Sequence, residues 1–231
     1  MKNQLTEIAF VLDRSGSMQS QLEAAISGFN DFLREQRSAP GEARFTLVLF
    51  DDQYEVPCNA IPIAEAVELD TSTFVPRGST ALLDAVGRTI DDLGGRLAAT
   101  AEESRPGQVI LVILTDGLEN ASEKYTWKDI SKKIKHQRDT YRWEFLFLGA
   151  NQDAIATASQ MNIAAGSAMS YVQDSHGILS AHKTTNRKVR AMRAAASGKP
   201  MDALAQADLA ASLSQIGEEE DRKSREEDKK K

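Results

Sequence analysis

Five oxygen-bearing side chains stand where short polar corners interrupt apolar runs. Asp13, Ser15 and Ser17 form a D-x-S-x-S pattern within Asp13-Arg14-Ser15-Gly16-Ser17-Met18. Thr80 lies in Gly78-Ser79-Thr80-Ala81-Leu82, and Asp116 in Leu114-Thr115-Asp116-Gly117. Carboxylates and hydroxyls are hard donors, the kind Mg²⁺ takes at about 2.0–2.1 Å in octahedral geometry while keeping some of its waters. Three short side chains at alternate positions can converge on one such cation. The same residues also have an ordinary reading. Ser and Asp ahead of a helix satisfy its unpaired N–H groups, and Thr80 can do the same for the helix after it. Each corner taken alone leaves both readings open.

The elements around these corners follow from hydrophobic periodicity. Ile8-Ala9-Phe10-Val11-Leu12 reads as a buried strand, with the first corner at its carboxyl end. Leu22, Ala25, Ile26, Phe29, Phe32 and Leu33 recur at helical spacing, predicting a helix over about 19–37. Arg44 to Phe50 is a second strand. The turn Asp51-Asp52-Gln53 is too short for a parallel crossover, so the strand from about Tyr54 to Ile61 is antiparallel. Pro57 and Pro62 place that strand at an edge.

After the Thr80 corner, Leu82, Leu83, Val86, Ile90, Leu93 and Leu97 form one helical stripe. Gln108 to Leu114 is the most apolar strand and should be central; it ends at Asp116. Thr126 and Asp129 make a capping box for a helix with Trp127, Ile130 and Ile134 inward. Arg142 to Leu148 is the next strand, followed by a helix from about Gln152 to Met161 and a short last strand at Asn162-Ile163-Ala164. A long helix from Ser175 carries Ile178, His182, Thr185, Val189 and Met192, and stops at Ser197-Gly198-Lys199-Pro200.

Strands alternating with helices predict an α/β fold: a Rossmann-like, doubly wound, mostly parallel six-stranded sheet with one antiparallel edge strand and helices on both faces. With strand order 3-2-1-4-5-6 the connection reverses beside the first strand, and a crevice opens between Asp13 and Asp116. The Thr80 corner can lie above it. The main domain is expected over residues 1–197, with a helical extension over 198–216. Residues 217–231 are almost wholly charged and predict a disordered, solvated tail.

Composition narrows the class. With 41% hydrophobic and 27% charged residues the chain reads as soluble and globular. A net charge of −6 gives no basic footprint for nucleic acid. No apolar run approaches the roughly 20 residues needed to span a membrane. Residues 1–7 lead straight into the first strand, so no signal peptide is expected. The single cysteine, Cys58, excludes an internal disulfide and, read as a packing residue, favours a reducing, cytoplasmic setting.

Taken together, Asp13-Arg14-Ser15-Gly16-Ser17-Met18, Gly78-Ser79-Thr80-Ala81-Leu82 and Leu114-Thr115-Asp116-Gly117 resemble the metal-ion-dependent adhesion site of the von Willebrand factor A family. The resemblance covers about Thr6 to Ala165 and extends to the helix ending at Ala196. Glu119-Asn120-Ala121-Ser122 and Leu148-Gly149-Ala150-Asn151 are similar to small bacterial and phage intracellular members. The resemblance implies that Ser15, Ser17 and Thr80 bind Mg²⁺ directly or nearly so. It implies that Asp13 and Asp116 hold its waters or bind it, and Mn²⁺ can substitute. The implied function is protein–protein interaction without catalysis, a partner's Asp or Glu carboxylate replacing a metal-bound water. Arg14, Gln19, Arg77, Leu118 and Glu119 would form the rim that sets specificity, although each also reads as plain surface.

Two other classes compete. A metal-dependent phosphohydrolase using Asp13 as phosphoryl acceptor would resemble the D-x-D phosphatases, but Ser15 stands where the second Asp belongs. His136, His176 and His182 all fall on helices away from the corners, which leaves no evident general base. Neither G-x-G-x-x-G nor a Walker lysine motif is present. A structural scaffold that ignores metal is the other alternative, separable by Mg²⁺ titration.

Overall fold

In the computed structural model, which describes residues 2–150 and 153–228, period-two alternation sets both faces of the sheet. Strand β1 (Lys2–Asp13) sends Ile8, Phe10 and Leu12 to one core and Ala9 and Val11 to the other. Strands β2 (Glu42–Phe50) and β4 (Pro106–Thr115) divide their side chains in the same way. A strand buried on both faces has no polar position to spare, which is why these runs are continuously apolar.

The sheet is completed by β3 (Tyr54–Pro62), β5 (Glu144–Ala150) and β6 (Ala168–Tyr171), in the order β3-β2-β1-β4-β5-β6. Only the β2–β3 pair is antiparallel, and β3 lies at the edge, as its prolines require. The fold is therefore the mixed, mostly parallel, doubly wound sheet expected. Helices α1 (Leu22–Ser38) and α5 (Ser175–Ala196) pack on one face, where Phe29 meets Phe10 edge-on with ring centroids 5.7 Å apart. Helices α2 (Leu82–Ala99), α3 (Trp127–Tyr141) and α4 (Ala154–Gln160) cover the other. No helix among the described residues is long and apolar enough to cross a membrane.

Three local expectations change. The first helix opens as a 3₁₀ turn at Gly16–Gln21 before α1 begins. The last strand is β6, and Asn162-Ile163-Ala164 is not a strand: Asn162 takes a left-handed backbone (φ 68°) just after α4. Arg142 likewise caps α3 in the left-handed region instead of opening β5. Both reversals place a turn conformation where an apolar neighbour suggested extension. Gln152 and Asn151 lie outside the described residues; α4 is capped by Asp153, whose carboxylate accepts from Ala156 N at 2.9 Å.

The charged C-terminal run is not the solvated tail its composition predicts. Helix α6 (Ala203–Ala210) is followed by α7 (Leu213–Asp228), while residues 229–231 are outside the described range. Leu213 and Ile216 are buried and anchor α7 on α5 and β6. The charges then find partners: Arg187 of α5 donates to Glu219 at 2.7 Å, to Glu220 at 2.6 Å, and also to Asp208. Lys188, on the same helix, satisfies the carboxyl end of α6 through Leu209 O at 2.8 Å and Ala211 O at 2.6 Å. A run too polar to bury itself is held by an apolar anchor on its N-terminal side and by basic groups on a neighbour.

Candidate metal and recognition site

Each corner is placed by backbone pairing. Asp13 ends β1 and Thr115 ends β4, adjacent strands at the point where the sheet order reverses. Arg14 N donates to Phe50 O at 2.8 Å, Arg77 N to Arg14 O at 2.9 Å, and Gly16 N to Gly78 O at 3.2 Å. Gly78 has φ +65° and a Cβ there would sit 2.5 Å from Asp52 Oδ1, so this turn requires glycine. These bonds draw the 77–80 segment over the crevice between β1 and β4.

The polar side chains then interlock. Asp13 Oδ1 accepts from Ser15 N at 2.7 Å, and Oδ2 from Thr115 Oγ1 at 2.5 Å. Ser15 Oγ and Ser17 Oγ are 3.2 Å apart, and Ser17 Oγ donates to Asp116 Oδ1 at 2.6 Å. A Cβ built on Gly117 would meet Thr80 Oγ1 at 2.8 Å, with Ser15 Oγ and Ser17 Oγ each at 3.7 Å. Three hydroxyl oxygens thus gather around the Gly117 backbone, where any Cβ would press on Thr80. All five residues singled out in the sequence are brought together. Asp13, Ser15, Thr80 and Asp116 are buried, while Ser17 is exposed at the mouth.

The capping alternative is answered by other residues. Ser15 precedes the 3₁₀ turn without making a side-chain cap. At the start of α2, Leu83 N is capped by Glu119 Oε2 and Asp84 N by Ser122 Oγ, both at 3.0 Å. The Thr80 hydroxyl is therefore not needed there. Thr80 is itself clamped by Asn120, whose Oδ1 accepts from Thr80 N at 2.9 Å and whose N donates to Thr80 O at 3.1 Å.

The rim residues divide. Gln19 and Leu118 are exposed, and Arg77 is 42% exposed at its side chain. Arg14 is 3% exposed and turned inward, donating to Asp51 Oδ2 at 3.0 Å and Glu55 Oε2 at 2.8 Å. Arg77 reaches the same two carboxylates, and with Arg14 it holds the Glu55 carboxyl down to about 2. Glu119 is occupied as a helix cap.

The electrostatics favour a cation. Burial raises the Asp13 carboxyl to about 6, and the nearby Asp116 charge adds to the rise against the lowering bonds from Thr115 and Ser15. Burial, reinforced by Asp116 and Asp13, also lifts the Tyr171 phenol well above its ordinary range; its OH donates to Thr115 O at 3.2 Å. Arginines that could neutralise the pair are committed to Asp51 and Glu55. Among the described residues no group of three or more His, Cys, Asp or Glu could hold a metal, so any cation here must use the two carboxylates with the hydroxyls. That donor set suits a hard divalent ion.

Sequence reasoning passed over Asn120, Thr115, Gln21 and Gln173. Gln21 offered a signal: it is a polar residue four positions before Ala25, on the buried stripe of the first helix. Gln173 offered none, since its contact with Asp116 spans 57 residues of sequence.

The family model of the von Willebrand factor type A domain matches residues 8–119. Solved structures share the fold at low identity. The pilus adhesin SpaC from Lactobacillus rhamnosus GG, in an open conformation, superposes with a TM-score of 0.61 at 13% identity over 83% of this chain and 30% of its own. Proximal thread matrix protein 1 from the mussel byssus, with a zinc-occupied MIDAS motif, gives 0.55 at 14% identity over 80% of this chain and 46% of its own. The ArnB paralog VWA2 from Sulfolobus acidocaldarius gives 0.51 at 15% identity over 81% and 45%. The chain spans less than half the length of each of these three proteins. Comparison with curated protein sequences found no match.

Proposed function

With residues 8–119 forming a von Willebrand factor type A domain, we propose that this protein is a metal-dependent protein-interaction module. Asp13, Ser15, Ser17, Thr80 and Asp116 would hold Mg²⁺, with Mn²⁺ as a substitute. When bound, the ion would supply a Lewis-acidic position suited to an Asp or Glu carboxylate of a partner protein. The observation that carries this reading is the cluster of three hydroxyls around Gly117 beside two carboxylates, with which no arginine among the described residues pairs. The mussel protein's zinc-occupied motif supports it by analogy of fold.

The chain's own residues prepare that encounter. Thr115 and Ser15 N orient Asp13, Asn120 fixes Thr80, and Ser17 stands at the mouth where a partner arrives. Gln19, Arg77 and Leu118 are the exposed side chains left to set specificity. Recognition without turnover fits the placement of the histidines. His182 is buried against Phe10, His136 lies on α3, and His176 meets Ser224 Oγ at 3.0 Å.

Thr80→Ala is the decisive variant, because it removes a hydroxyl and leaves the charge unchanged. Calorimetry should show Mg²⁺ binding to the wild type and a severe loss in Thr80→Ala, Asp13→Ala and Asp116→Ala. Affinity capture of partners should fall with EDTA and return with Mg²⁺ or Mn²⁺, and poorly with Ca²⁺, which prefers longer bonds and more ligands. Capture indifferent to both EDTA and Thr80→Ala would place recognition on another surface.

A further inference from the structure

Asp116 divides its oxygens between two tasks. Oδ1 accepts from Ser17 Oγ on the side of the hydroxyl cradle. Oδ2 accepts two side-chain amides, Gln21 Nε2 at 3.0 Å and Gln173 Nε2 at 2.8 Å. A carboxylate cannot donate, so in both residues the nitrogen must face it. The amides arrive from opposite sides, Gln21 from the turn after β1 and Gln173 from the link between β6 and α5.

Gln21 is 2% exposed, and its Oε1 has no hydrogen-bond partner among the described residues. A buried, unsatisfied acceptor opposes folding, and an aliphatic side chain of similar size would remove that penalty. The fold alone gives no reason for an amide here; the grip on Asp116 does. Two neutral donors also restrain a carboxylate without neutralising it, whereas Lys or Arg at either position would compete with a cation.

Gln173 is in turn tied to α7. Its neighbour Asp174 caps α5 through Gly177 N at 2.7 Å and accepts from Arg225 Nη2 at 3.2 Å. Resting on the metal site proposed above, we infer that Gln21 and Gln173 are positioning residues that hold Asp116 by Oδ2 and leave Oδ1 for the cation, with α7 setting Gln173 through the Arg225–Asp174 pair. The charged C-terminal helix, which the family match does not reach, thereby acts on the site.

The test is calorimetric titration of MgCl₂ and MnCl₂ into the full chain, paired with thermal melts in EDTA. Gln21→Leu and Gln173→Ala should each weaken Mg²⁺ and Mn²⁺ binding by roughly 10–100-fold, the range for loss of a group that orients a metal ligand. Arg225→Ala should weaken binding in the same direction by a smaller factor. In EDTA the melting temperature of Gln21→Leu should hold or rise, because the orphaned acceptor is gone. Unchanged affinity in both glutamine variants would overturn the inference and leave the metal site standing. Lost affinity with a parallel fall in the EDTA melt of Gln21→Leu would make that residue structural and overturn its positioning role. A wild type that binds neither ion would remove the premise itself.

Discussion

Gly117 and His182 show how single residues are constrained by what surrounds them. The Cβ of Gly117→Ala would press within 2.8 Å of Thr80 Oγ1. Thr is stiff about χ1, and Asn120 pins its backbone from both directions, so Thr80 has little room to yield. Gly117→Ala should therefore abolish Mg²⁺ heat in calorimetry while the far-UV circular dichroism stays native. His182 is enclosed by the core, stacked on Phe10 at 5.9 Å, and burial pushes its imidazole down to about 3. Folding thus favours the neutral ring, and the unfolded chain binds the extra proton. Its contribution is fully present above the ordinary histidine value near 6.5 and is lost as pH falls from there toward about 3, by at most about 1.4 kcal/mol per pH unit. Asp13 acts with opposite sign, since its raised carboxyl favours the protonated native state. The difference between wild type and His182→Leu isolates the histidine. Urea titrations at pH 7, 6 and 5 should show the variant losing less stability than the wild type on acidification. Parallel losses would mean that the ring is protonated or hydrated in the native state.

Among the elements, α7 behaves least like its composition. Its sixteen residues include a triple glutamate, yet Leu213 is 0% and Ile216 2% exposed against α5 and β6. Arg187 gathers Asp208, Glu219 and Glu220, which joins α5, α6 and α7 through one guanidinium. Leu213→Ala should cost about 2–5 kcal/mol in a denaturant titration, as for other fully buried leucines. Truncation after Ile216 should lower the melting temperature, because Arg187 loses Glu219 and Glu220 and Asp174 loses Arg225. High salt should narrow the gap between truncated and full-length chains, since these ion pairs are only partly shielded from solvent. A truncation with no effect would show that the ion pairs made by residues 217–228 add nothing to stability.

At the scale of the whole molecule, the candidate site is where three chain segments close on one another at the sheet's reversal point. β1 and β4 bring Asp13 and Asp116, and the 77–80 segment brings Thr80 across the crevice. A cation bound at the proposed site would join all three, and a ligand that binds only the native state stabilises it by about 2.7 kcal/mol at a concentration of 100 Kd. Mg²⁺ should raise the melting temperature in a concentration-dependent way, EDTA should reverse it, and Thr80→Ala should be insensitive to both. A metal shift that persists in Thr80→Ala would locate the ion elsewhere.

The chain's periodicity by itself determined the sheet. Ile8–Leu12 and Gln108–Leu114 are continuous apolar runs, and a strand that must be buried on both faces leaves few alternatives for its neighbours or for the corners at its carboxyl end. The spacing of Asp13, Ser15 and Ser17, with Thr80 and Asp116 at two further corners, was equally legible, because short oxygen side chains beside glycine turns have few uses. What only the tertiary structure decided is which of these groups are already occupied. Arg14 reads as rim and is buried on Asp51; Glu119 reads as rim and caps α2, which releases Thr80 from that duty. Gln173 reaches the site through its contact with Asp116, 57 residues away in sequence. The short last strand lies at Ala168–Tyr171, since the left-handed backbone of Asn162 turns the chain at the apolar Ile163. The charged terminus folded because its partners, Arg187 and Asp174, lie on other elements. Local pattern specifies what a segment can bury, whereas hydrogen-bond and charge partners distant in sequence exist only once the chain has closed.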